Sequence, residues 1–153
     1  MTIVFQTANA GHALGMSQLL HAILQRWDSP RPYSVDHILA HYIEHRDSLM
    51  CTVALDQERV VGFQSLRLAV ENNEYGVTPG WGIIGSYVAE GMGGRGIGRG
   101  LFQQTLTAAK AAKIPAIDAT IADRNDEGQA YYGAMGFQVY QTRPGAICRK
   151  FTL

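Results

Sequence analysis

Apolar positions along the chain switch repeatedly between strand-like and helix-like spacing. Residues 2–6 form a short strand-like run. Met16, Leu19, Leu20, Ile23, Leu24 and Trp27 then recur at helical spacing, which predicts a first helix over about residues 10–27. The two prolines of Asp28-Ser-Pro-Arg-Pro-Tyr33 fix a loop. Ser34 is placed to cap a second helix carrying Ile38, Leu39, Tyr42 and Ile43. Residues 49–55 and 60–68 read as strands joined by the hairpin Asp56-Gln-Glu-Arg59. A mostly polar loop over 69–80 leads to an apolar strand at 81–88. A glycine-dense stretch follows, then a helix-like run over 101–112. Residues 115–121 are strand-like, and Asn125 can cap a fourth helix that ends at Gly136. Residues 137–141 and 147–153 predict a last strand pair. The order β-α-α-β-β-β-α-β-α-β-β describes a mixed α/β (α+β) layer. With no repeat or linker in the pattern, residues 1–153 are expected to form one domain.

Charge and cysteine content remove several function classes. Thirteen basic residues balance thirteen acidic ones, which argues against a nucleic-acid partner held by a basic excess. Residues 1–10 lack the basic start and long apolar run of a secretory signal. No apolar stretch approaches the roughly 18 residues of a membrane span. Cys51 and Cys148 lie in strand-like runs. They read as buried free thiols of a cytoplasmic protein, with a disulfide or a nucleophile as alternatives.

The candidate chemistry centres on six glycines within Gly91–Gly100, in Glu90-Gly-Met-Gly-Gly-Arg-Gly-Ile-Gly-Arg-Gly-Leu-Phe102. A strand, a glycine turn and a helix start together make an anion-binding device. Glycine lets the backbone approach a ligand closely, and the first N–H groups of the helix have no internal partner. Arg95 and Arg99 add positive charge. Gly91-Met-Gly93-Gly-Arg-Gly96 formally matches the dinucleotide fingerprint G-x-G-x-x-G. A dinucleotide fold, however, opens with its βαβ unit, and the acid expected about 20 residues later is only loosely supplied by Asp118. No Gly-Lys-Ser/Thr follows, so a Walker A loop does not fit. An acyl-CoA pyrophosphate cradle and a purely structural turn remain.

Tyr87-Val88 followed by Gly93-Gly94-Arg95-Gly96-Ile97-Gly98-Arg99 resembles the GNAT superfamily of N-acetyltransferases, in which Q/R-x-x-G-x-G/A binds the CoA pyrophosphate. Asn125, then Tyr132 seven positions on, then Gly136-Phe137, resembles that family's N-x6-Y-x3-G-F signature. The two motifs stand about 30 residues apart, as in the family, and the order of elements resembles the whole fold. One departure is plain: Gly93 occupies the Gln/Arg position. Either Arg95 supplies the guanidinium from two residues downstream, or backbone N–H groups of Gly94–Gly98 carry the pyrophosphate alone.

The resemblance implies a mostly antiparallel mixed sheet with splayed fourth and fifth strands, flanked by about four helices. It implies acetyl-CoA as cosubstrate, no metal, a small-molecule or peptide amine as acceptor, and a homodimer. It makes Tyr132 the general acid and places a backbone N–H near Val88 on the thioester carbonyl. The cofactor-binding set it implies is Tyr87, Val88, Gly93, Gly94, Arg95, Gly96, Ile97, Gly98, Arg99, Asn125 and Tyr132. A phenol of pKa about 10 can protonate a thiolate of pKa about 8.5 only if held close. Asn125 is equally read as a contact to the pantetheine arm and as an N-cap. Tyr131, about 100° away around the helix, is not expected to share the role of Tyr132. The strand at 81–88 carries no acid or imidazole. A base is therefore water-relayed from Glu71, Glu74 or Asp118, comes from the first two helices, or is unnecessary for an amine of low pKa. The missing base also leaves a noncatalytic acyl-CoA-binding regulatory module as the alternative.

His37, His41 and His45 repeat at i, i+4, i+8, and His41-Tyr-Ile-Glu44-His45 matches the zinc-hydrolase pattern H-x-x-E-H. They read as a solvated face, as a border of the acceptor site, or as metal ligands. Trp27, Tyr33, Tyr75 and Trp81 are candidates for an acceptor pocket and are equally read as packing.

Overall fold

A computed structural model describes residues 2–153, so Met1 of the expected domain lies outside the described residues. Seven strands form one sheet in the order β1-β2-β3-β4-β5-β7-β6. Strands β1 (Ile3–Thr7), β2 (Ser48–Asp56), β3 (Arg59–Leu68) and β4 (Gly82–Val88) pair antiparallel in succession. Strand β5 (Ala116–Ala122) pairs antiparallel with β7 (Ala146–Thr152), and β7 with β6 (Gln138–Arg143). The two halves meet at the single parallel pair, β4 with β5, which holds only at Gly82–Ile117 and Ile83–Asp118. Beyond Ile83 the two strands part, so the sheet is splayed where the family resemblance implies.

Helix α1 (Ala13–Arg26), preceded by a 3-10 turn at Ala10–His12, buries Met16, Leu20, Ile23 and Leu24. Together with Ile38, Tyr42, Phe63 and Tyr87, these residues form the core on one face of the sheet. Helix α2 (Val35–Ile38) with its continuation covers the expected Ile38, Leu39, Tyr42 and Ile43, but not as one regular α-helix. One α-turn, Val35–Ile38, capped by Ser34, widens into a π-helical stretch at Leu39–Ile43. The Glu44 N–H reaching the Leu39 carbonyl at 2.7 Å closes that wide turn. On the other face lie α3 (Ile97–Ala111) and α4 (Asp126–Met135), packed over Leu66, Ile84, Phe102, Ile117 and Phe137.

Helix α3 begins at Ile97, four residues before the expected start at Leu101, so Gly98 and Gly100 are helical rather than part of the turn. A Cβ at Gly98 would lie 2.6 Å from the Tyr131 ring, and one at Gly100 would sink into the ring of Phe5. These two glycines let aromatic rings approach the helix, a role that the anion-turn reading did not foresee. Asn125 caps α4 by accepting the Gly128 N–H at 3.0 Å, and Gly136 ends that helix at φ 103°.

Cys51 and Cys148 are free and buried. Burial pushes the Cys51 thiol up to about 12. A thiol-specific chromogenic reagent should therefore label neither cysteine in the native protein and both after denaturation. Rapid labelling of the folded chain would contradict this burial.

Candidate functional site

Only one edge of β4 is fully paired. Its register with β3 runs from Leu68–Gly82 to Gly62–Val88. The Ala89 N–H donates to the Val61 carbonyl at 2.9 Å, toward β3. Backbone groups alternate along a strand, so Tyr87 and Gly85 also face β3, while Ile84, Ser86 and Val88 face β5; the Ile84 N–H is used in the pairing with Asp118, and Ser86 and Val88 face the gap beyond it. The gap opens into a cavity of about 870 Å³. Tyr87 and Tyr42 line it on one side of the sheet, and Ser86, Tyr131 and Tyr132 on the other, so the cavity runs through the sheet.

On the α3–α4 side a buried polar network fixes the tyrosines. Gln64, fully buried on β3, donates from Nε2 to Ser86 Oγ and to the Tyr131 hydroxyl, both at 2.9 Å. Thr105 of α3 donates to Gln64 Oε1. Tyr131 donates to the Gly98 carbonyl at 2.7 Å, and the Tyr132 hydroxyl lies 2.7 Å from Ser86 Oγ. Every hydrogen of Gln64, Thr105 and Tyr131 is thus committed. The Ser86–Tyr132 pair holds two hydroxyl hydrogens for one mutual contact. One of them is left for the cavity that both residues line. Burial raises both phenols, Tyr131 to about 12 and Tyr132 well above the ordinary tyrosine range, so both stay protonated at neutral pH.

The glycine turn lies at the end of β4, outside the cavity wall. Gly91, Gly94 and Gly96 have positive φ. A Cβ at Gly91, Gly93, Gly94 or Gly96 would meet nothing within 4 Å, so open space stands over the turn. Gly96 precedes α3 without a side-chain cap, which leaves the first-turn N–H groups for an anion. Gly93, Gly94, Arg95, Gly96 and Arg99 are exposed there. Ile97 is different: its side chain packs among Ala54, Val61, Met92 and Leu101, so only its backbone is available to a ligand. Val88, Asn125 and Tyr132 line the cavity, as does Tyr87. The Tyr87 ring, however, lies on the face opposite Tyr132. Its hydroxyl accepts from Arg31 Nη2 at 2.8 Å and lies 3.3 Å from the Tyr42 hydroxyl.

Other expectations divide. His41 lines the cavity, whereas His37 stacks on it from outside with ring centroids 4.8 Å apart, and His45 Nδ1 accepts the Asp47 N–H. Burial lowers His41 to about 4, so it is neutral at neutral pH. Among the described residues no three His, Cys, Asp or Glu side chains come together to hold a metal, so the H-x-x-E-H match does not assemble a site. Among the described residues no helix is long and apolar enough to cross a membrane. Of the three carboxylates considered as relays, only Asp118 lines the cavity. Its carboxylate accepts from Thr120 at 2.8 Å and from Tyr140. Trp27 and Tyr75 line the cavity; Tyr33 instead stacks on His21, and Trp81 packs on Tyr140. Tyr131, Ser86, Gln64 and Arg31 were not foreseen. The one available signal was Gln64, a lone amide in the apolar strand Val60-Val-Gly-Phe-Gln-Ser-Leu.

The model of the acetyltransferase (GNAT) family matches residues 16–137. The chain belongs to the GNAT family. Solved structures agree at the level of the fold. The yncA protein of Salmonella typhimurium, determined with acetyl-CoA, is 16% identical with a TM-score of 0.80, over 100% of this chain and 95% of its own. An N-acetyltransferase of Staphylococcus aureus Mu50 is 15% identical with a TM-score of 0.81, over 99% of each chain. The PaiA N-acetyltransferase of Thermoplasma acidophilum, determined with coenzyme A, is 13% identical with a TM-score of 0.79, over the full length of both. No curated protein matches the chain. The two segments that resemble the family's motifs follow β4 and β5, the two strands of the splayed pair.

Gln64→Leu should leave the buried Thr105 hydroxyl without its acceptor and remove the amide donor from Ser86 and Tyr131. The expected cost is about 1–3 kcal/mol of stability by denaturant unfolding. An unchanged midpoint and slope would show that the network carries no stability.

Proposed function

We propose that residues 1–153 are a single catalytic domain that transfers the acetyl group of acetyl-CoA to a primary amine of a small molecule or peptide. The observation that carries the reading is the through-sheet cavity, with an unpaired β4 edge in its wall and Tyr132 beside it. The open space over the glycine turn fits a pyrophosphate, which backbone N–H groups of Gly94–Gly98, with Arg95 and Arg99, would hold. CoA supplies an activated thioester when bound. The Val88 N–H, directed at the gap, donates to the thioester carbonyl as negative charge develops there, a contribution of about 10²–10³ in rate by analogy with other oxyanion donors. The C–S bond breaks as the C–N bond forms; Tyr132 gives its proton to the departing thiolate, the acylated nitrogen loses one proton to water, and Tyr132 regains a proton from water. Ser86 can donate to the Tyr132 oxygen in the same network and so keep the phenol hydrogen turned toward the cavity. Asn125 holds the start of α4, and with it the placement of Tyr132.

Attack is direct, in a ternary complex. Neither cysteine lines the cavity, which supports transfer without a covalent enzyme intermediate. The acceptor is taken as the free amine, so kcat/KM rises with pH toward the amine's own pKa. Tyr132 is required in its protonated form and its pKa is raised, so it imposes no fall in rate below about pH 10.

Thiol release with acetyl-CoA over an amine panel tests the activity. Tyr132→Phe should lower kcat about 10²–10⁴-fold while CoA affinity stays nearly unchanged. Full activity of Tyr132→Phe would remove the phenol from the chemistry. Saturable CoA binding with no turnover of any amine would favour a noncatalytic acyl-CoA-binding module.

A further inference from the structure

On the α1–α2 side, Arg26, Arg31 and Arg67 line the cavity. Arg26 lies 3.9 Å from Glu90, and Arg67 lies 4.0 Å from Glu74; both carboxylates are largely exposed, at 78% and 70%. Arg31 differs. Among the described residues no carboxylate lies within ion-pair distance of it. It sits in an exposed loop, but its guanidinium turns inward and is partly buried, with the Tyr87 hydroxyl as hydrogen-bond partner. The charged or titratable groups that face it are Tyr87, Tyr42, Tyr75 and His37. Burial pushes Tyr42 and Tyr75 up, so both stay neutral at neutral pH, and His37 can only be neutral or cationic. A guanidinium has five N–H donors in a rigid fork that matches a carboxylate. A partly buried one with a single phenol partner is short of an anion.

Resting on the acetyltransferase reading, we propose that the acceptor is an amine that carries a carboxylate, of the amino-acid type, and that Arg31 binds this carboxylate on the α1–α2 side of the cavity. Tyr87 accepts one N–H of Arg31 and so fixes the fork against β4, the strand whose other edge faces the gap. Arg67, which lines the same cavity, adds to the positive potential. The site thereby selects the acceptor's anion.

The test compares amino acids with their carboxamides, at equal concentrations of free amine, in the thiol-release assay. The acids should show kcat/KM about 10–100-fold above the amides, the range expected of a charge-assisted fork. Arg31→Gln should abolish that gap and leave the KM for acetyl-CoA within about twofold, and Arg31→Lys should restore part of it. Equal turnover of acids and amides by the unmodified protein would overturn the proposal, as would an undiminished gap in Arg31→Gln. If no amine at all is turned over, the acetyltransferase reading itself fails. Calorimetric titration of N-acetyl amino acids and their amides into the CoA-loaded protein then decides the carboxylate site alone. Acid-selective binding that is lost in Arg31→Gln supports it; equal binding, or none, overturns it.

Discussion

The structure depends on a sheet that stops pairing in its middle. Strands β4 and β5 share two register positions, Gly82–Ile117 and Ile83–Asp118, and then diverge. An unpaired backbone edge inside a sheet is costly unless water or a ligand satisfies it. Here the edge of Ser86 and Val88 lines a cavity that reaches both faces. The layers follow from this gap. Helices α3 and α4 cover the side where the glycine turn meets the end of β4. The α1–α2 face closes the other side, and its loop sends Arg31 inward. The two substrates of the proposed reaction would meet at the opening.

The hydrogen bonds around the gap give each side its own character. On one side Gln64, Thr105, Ser86 and Tyr131 consume one another's donors and leave a hydroxyl hydrogen between Ser86 and Tyr132. On the other side Tyr42 and Tyr87 frame a guanidinium with no carboxylate counterpart among the described residues. The central strands carry this division because alternate side chains point to opposite faces. Ser86 and Tyr87 are neighbours in sequence and belong to different halves of the site.

Much of the fold was legible, for physical reasons. The apolar periodicity of α1 and the near-continuous apolar runs of β2 and β3 follow directly from burial. Asn125 and Gly136 mark α4 because a cap side chain and a left-handed residue have few substitutes. The start of α3 was misplaced because glycine weakens a helix, and the sequence cannot show that Gly98 and Gly100 are there to admit Tyr131 and Phe5. The π-helical widening at Leu39–Ile43 likewise left no trace in the spacing of apolar residues. Tyr132, Val88 and Asn125, which line the cavity, are candidates from sequence because short motifs place them. Tyr131 was set aside by helical angle, yet a ring is long enough to join the network from the neighbouring position. Arg31 and Gln64 depend on contacts across 56 and 22 residues of chain, to Tyr87 and Ser86, that no local pattern encodes.

The central claim is that the free edge of β4 receives the cosubstrate. Amide hydrogen exchange resolved by residue, with and without CoA, tests it most directly. The gap-facing amides of Ser86 and Val88 should exchange fast in the free protein and be protected by CoA, whereas the Ile84 amide, used in the pairing with Asp118, should be protected in both states. The β3-bonded amides of Gly85 and Tyr87 should be protected in both states. Gap-facing amides already protected without CoA, or left unprotected by saturating CoA, would contradict it.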